Sequence, residues 1–162
     1  MTSAQGDSTP LRTFIAGLAV AAFIGLGVFG AMVWRAVSVE NLPLRDAERR
    51  LNTIRTAFRS ALPLVRRDEA GRFVRTEASG RNGEPPARLY VVLYRTSQNR
   101  FISADVPLWF LKIKGPAAAV ALRDTGFDLD LLGLTVEDLE RSGPGLILDE
   151  RRGEDTLIAW TQ

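Results

Sequence analysis

The chain contains no cysteine and no histidine among its 162 residues. That excludes a disulfide scaffold, a thiol nucleophile, a zinc or haem site built on Cys or His, and any catalytic dyad that needs an imidazole. Lysine is nearly absent as well: Lys112 and Lys114 are the only two among 21 basic residues. Neither sits in an S-x-x-K frame, so a lysine-activated serine has no support. The phosphate loop G-x-x-x-x-G-K-[ST] is missing, and no G-x-G-x-x-G follows a strand; Gly143-Pro144-Gly145 is turn chemistry. These motifs therefore assign no catalytic, cofactor-binding or metal-ligating residue, and no cofactor is implied.

What the chain does have is a long run without charge. Residues 14 to 34, FIAGLAVAAFIGLGVFGAMVW, number 21 and are bracketed by Arg12 and Arg35. At about 1.5 Å per residue a helix of this length spans about 30 Å, the hydrocarbon thickness of a bilayer. Trp34 ends the run, where an amphipathic ring prefers the headgroup level. Ala19-Val20-Ala21 and Ala36-Val37-Ser38 have the small-x-small form of a cleavage site. The uncharged core nevertheless exceeds the roughly 7–15 residues of a signal peptide, so an uncleaved single-pass anchor is expected. Gly17, Ala21 and Gly25 recur every four residues and share one helix face. Small residues in that spacing let two transmembrane backbones approach closely, so a second copy of this chain or another membrane protein is the expected partner, together with the bilayer itself.

The positive-inside count compares Arg12 on the N-terminal side with Arg35, Arg45, Arg49 and Arg50 on the other. It leans toward a cytoplasmic domain at an inner membrane. Against it, a short N-tail before an anchor is also a common way to display a domain outside a bacterial inner membrane. The remaining charge is polarised. Residues 35 to 114 carry 16 basic and 8 acidic side chains, and residues 115 to 162 carry 4 basic and 10 acidic. A basic segment beside a bilayer is attracted to anionic headgroups, so Arg45, Arg49 and Arg50 are candidate lipid or partner contacts. Interspersed acids and the lack of a recognition motif argue against nucleic acid as a partner. The acidic groups Asp124/Asp128/Asp130, Glu137/Asp138/Glu140 and Asp149/Glu150/Glu154/Asp155 suit solvated turns and caps. A carboxylate-based enzyme or divalent-cation site is the alternative there, although the D-x-[DN]-x-[DN]-G calcium spacing is absent.

The pattern predicts four parts: a polar tail over 1–13, a transmembrane helix over 14–34, a juxtamembrane basic amphipathic helix over 35–70, and an α+β domain over 71–162 packed with that helix. Pro43 suits the first helical position. Leu44, Ala47, Leu51, Ile54, Phe58 and Ala61 then form a 3-4 seam that Pro63 breaks. That seam packs on the domain's own sheet or pairs with a copy of itself. Gly71–Glu77 reads as a short strand and 79–87 as a loop. Arg88–Arg95 is apolar on both faces and belongs mid-sheet, with Phe101–Val106 returning as its hairpin partner. Leu108–Lys114 reads as a half-buried strand; its Trp109-Phe110 pair is either core or a partner and membrane contact. Two short helices follow, one from Ala117 to Asp124 stopped by Gly126 and one opened by a Thr135-x-x-Asp138 capping box. A closing hairpin joins 146–149 to 156–161. The expected class is α+β, a mainly antiparallel sheet with one long and two short helices behind a single transmembrane helix.

Overall fold

The computed structural model describes residues 37–76, 84–112 and 122–162. The uncharged run with its Gly17, Ala21 and Gly25 face, residues 79–83 of the turn-rich stretch and the start of the helix placed at Ala117 lie outside the described residues. The elements are β1 (Val37–Asn41), α1 (Leu44–Ala57), β2 (Val65–Arg67), β3 (Phe73–Arg75), β4 (Arg88–Arg95), β5 (Arg100–Pro107), α2 (Leu108–Lys112), α3 (Val136–Ser142), β6 (Gly145–Arg152) and β7 (Asp155–Thr161). They make a small α+β domain whose main sheet is antiparallel, in the order β1-β5-β4-β7-β6, with β2 and β3 as a separate hairpin.

β4 is central because both its faces are apolar, and Val91, Val92, Leu93 and Tyr94 are all buried. α1 covers one face. Its Ala47 and Leu51 pack with Val92, Tyr94, Phe101, Leu146 and Ile158, and Ile54, Phe58 and Ala61 extend the contact. The 3-4 seam is thus spent on the chain's own sheet. Leu89, Val91, Ile102, Val106 and Leu157 form the opposite face, where α2, α3 and the turns between Phe127 and Leu134 supply further buried residues. Covering both faces is what lets a five-stranded sheet carry so few polar residues at its centre.

Four local rules set the boundaries. Asn99 takes the left-handed conformation (φ 50°) that closes the one-turn link between β4 and β5. Gly153 (φ 64°) does the same in the tight turn from β6 to β7. Thr135 and Asp138 make the reciprocal capping box at the start of α3, and Gly143 follows its last turn. Gly126 (φ 63°) ends the turn in which Thr125 and Gly126 bond back to Leu122 and Arg123.

Four expectations are corrected. The segment 35–70 is not one helix, since it also holds β1 and β2. Val37-Ser38-Val39-Glu40 alternates with period two, and the proline at 43 disfavours helix just before it. Pro43 is the cap of α1 and not its first helical residue. α1 ends at Ala57, where Phe58 bonds to Arg55 instead of four residues back; Phe58 and Ala61 continue the apolar seam without helical geometry. Finally, Leu108–Lys112 is helical. Its burial does not alternate as a strand's would, since the adjacent Phe110 and Leu111 are both buried. Leu108, Phe110 and Leu111 turn inward while Trp109 and Lys112, three apart, face out.

Candidate functional site

The sheet has two unlike ends, fixed by register. Val37 pairs with Ala104 and Asn41 with Arg100, so the chain enters the sheet near the end of β5. That entry end also carries Pro107 opposite Arg88, Gly145 opposite Thr161, and the final residue, whose carbonyl accepts from the Ala87 and Arg88 amides at 2.8 and 2.9 Å. The far end carries the link Thr96–Gln98 and the Gly153 turn.

Trp109 sits on α2, directly after β5 at the entry end, and is 51% exposed. Phe110 beside it is 5% exposed and meets the indole edge-on with centroids 6.0 Å apart. The pair divides its work: Phe110 is core, and Trp109 alone presents surface. Lys112 on the same helix is tied to Glu140 at 2.8 Å, which holds its ammonium above the usual lysine range.

The arginines of α1 lie elsewhere. α1 starts beside the far end, where Leu42 donates to the Asn99 carbonyl and the Tyr94 hydroxyl donates to the Leu42 carbonyl. Arg45 is exposed in its first turn. Arg49 meets Asp46 at 3.4 Å, and Arg50 meets Glu40 at 3.0 Å while its guanidinium lies over the Phe101 ring. Of the named basic candidates, two of three are therefore paired with the chain's own acids. A feature that the sequence did not single out lies nearer the entry end, on the face α1 covers: Tyr90 stacks on Trp160 with centroids 5.3 Å apart, and Arg88 meets Asp105 at 2.6 Å. Tyr90 and Tyr94, on one face of β4, and Trp160 near the end of β7 were the available signal.

The acidic side chains are dispersed rather than convergent. Asp149 takes a two-pronged bond from Arg55, Glu150 lies between Arg67 and Arg152, and Asp155 accepts from the Thr96 amide. Asp128 accepts from the amides of its own turn. Among the described residues no three carboxylates come together as a cation site. Asp138 is the densest node. It accepts from the Thr135 amide and hydroxyl, from Arg75 at 2.6 Å and from Arg141 at 2.7 Å. Burial works to raise its pKa, but the Arg75 and Thr135 hydrogen bonds outweigh that and lower it to about 2. Arg75 also donates to the Gly133 carbonyl, so this node clamps the β2–β3 hairpin to the α3 cap.

Among the described residues no helix is long and apolar enough to cross a membrane. The chain matches no protein-family model, no curated protein and no solved structure.

Proposed function

We propose that this is a single-pass inner-membrane protein whose α+β domain acts by binding, as an assembly or accessory subunit of a membrane complex, without catalysis of its own. The observation that carries the reading is the junction. An uncharged run of 21 residues ends at Trp34, and the first strand of a folded domain begins at Val37. A domain joined so closely to a bilayer-length helix is held at the membrane surface. Engagement of Asp138, Glu140, Asp149 and Glu150 with arginine or lysine partners supports a structural use of the acidic end. The face formed by Gly17, Ala21 and Gly25 is the contact to a neighbouring transmembrane helix, either in a second copy or in another membrane protein. The arginine count leans toward a domain on the cytoplasmic side.

Because the chain has no cysteine, single cysteines at Gly17, Ala21 and Gly25 give an unambiguous crosslinking scan in native membranes. Crosslinked species from these positions, and a native size above the monomer, are expected. An isolated monomer in both measurements overturns the binding reading. Reporters fused after Gln162 that are active only in the cytoplasm or only in the periplasm test the side.

A further inference from the structure

We infer that Arg95 and Arg100 form an anion site for the phosphate of a phosphomonoester, at the far end of the sheet on the face away from α1. The site needs nothing from the uncharged run and stands whether or not that run crosses a membrane. In the β4–β5 register Leu93 lies opposite Ile102, and two residues on Arg95 lies opposite Arg100. Directly opposed side chains leave the sheet on the same face, with Cβ atoms about 4.5–5.5 Å apart. Leu93 and Ile102 are buried, so the two arginine stems emerge at the margin of that face's core.

Two guanidiniums so placed repel each other. Among the described strands this is the one register position at which two bases face each other. Three described arginines are half-buried, Arg88, Arg95 and Arg100. Arg88 has Asp105, whereas Arg95 and Arg100 have no ion-pair partner among the described residues. Like charges directly opposite are destabilising, and half-burial removes part of the water that would weaken the repulsion.

The neighbours in the same row define the charge that is missing. Arg152 lies opposite Asp155, Asp155 comes next to Arg95 because Thr156 pairs with Tyr94, and Asn41 lies opposite Arg100. Across the sheet the row is therefore Arg152, Asp155, Arg95, Arg100, Asn41. Asp155 commits one oxygen to the Thr96 amide at 3.1 Å, and Arg152 is held at 2.7 Å by Glu150, which Arg67 also engages. Arg67, Arg152, Arg95 and Arg100 thus share two carboxylates, Glu150 and Asp155, leaving an excess of two positive charges. A carboxylate brings one negative charge and fills one guanidinium fork. A phosphate monoester brings about −1.5 to −2 and three terminal oxygens, which serve both forks at once. The Asn41 amide adds an uncharged donor at the end of the row. Ser97, Gln98 and Asn99 of the adjoining link are exposed, so an anion can approach from that end.

The test titrates the full chain, in a non-ionic detergent at constant ionic strength, with inorganic phosphate at about pH 8, where phosphate is dianionic. Calorimetry is expected to show one saturable site, weakened at least about tenfold in R95Q and in R100Q. Acetate and dimethyl phosphate, each with a single charge, are expected to bind at least about tenfold more weakly than phosphate. No saturable binding, or binding unchanged in both variants, overturns the site. Acetate binding as tightly as phosphate assigns the pair to an acidic partner protein, and dimethyl phosphate doing so refutes the need for two charges; either overturns the phosphomonoester. Thermal unfolding checks that the variants fold. Without phosphate, R95Q and R100Q should melt no lower than the parent, since each relieves the repulsion, and phosphate should raise the melting temperature of the parent alone. Both variants melting lower shows that the pair is not under repulsion and overturns the inference. Nanodiscs separate the two sources of phosphate. Phosphatidate that weakens free phosphate binding, relative to phosphatidylglycerol at matched surface charge, assigns the site to a lipid headgroup; equal binding in the two lipids assigns it to a soluble phosphomonoester.

Discussion

The Asp138 node gives a stability prediction whose size and pH range both follow from its geometry. Its pKa falls from 3.8 to about 2 because the Arg75 and Thr135 hydrogen bonds outweigh the burial of the carboxylate. For a carboxylate depressed in the folded state, the unfolded chain takes up the proton first as pH falls. The stabilisation is therefore complete above the unfolded value near 4 and is lost as pH falls toward 2. A drop of this size corresponds to about 2 kcal/mol at neutral pH. D138N keeps the shape and removes the charge, so it is expected to destabilise by about 2 kcal/mol at pH 7 and by progressively less between pH 4 and pH 2. Urea unfolding of the full chain in a non-ionic detergent, followed by the near-ultraviolet dichroism of the stacked Tyr90–Trp160 pair, reads the difference. A gap between parent and variant that stays constant across that pH range refutes the charge argument and leaves only a capping effect. The node is not on α1, so any change also reports on how firmly the β2–β3 hairpin and the α3 cap are coupled to the sheet.

The other substitutions test separate rules with the same unfolding measurement. T135A removes a hydroxyl that both donates to Asp138 and accepts from its amide, and should cost about 1 kcal/mol. Combined with D138N it should cost less than the sum of the two, because they dismantle one box. L51A deletes a side chain 3% exposed between α1 and the sheet and should cost about 3 kcal/mol; a loss below about 1 kcal/mol means that α1 is not seated there. G153A meets nothing within 4 Å of the added methyl, so its penalty of about 1 kcal/mol is purely that of a positive φ.

Much of this domain was legible in its sequence, for reasons that differ by element. β4 was readable because two buried faces leave an unbroken apolar run, and the β4–β5 and β6–β7 hairpins because short polar links separate the strands. The α3 cap was readable because its bonds are local, from Thr135 to Asp138. What was misread depended on non-local facts. Leu108–Lys112 has a composition that fits strand or helix, and what separates them is tertiary: Leu108, Phe110 and Leu111 are buried while Trp109 and Lys112 are exposed, a pattern that suits a helix and not an alternating strand. β1 was absorbed into the helix that follows because its value as a strand comes from pairing with β5, some sixty residues later. The ion pairs joining Arg55 to Asp149 and Arg75 to Asp138 span 94 and 63 residues, and no local pattern announces them. Exposure of the Trp109–Phe110 pair was equally hidden: adjacency suggested one shared fate, and a five-residue helix gives the two rings opposite ones.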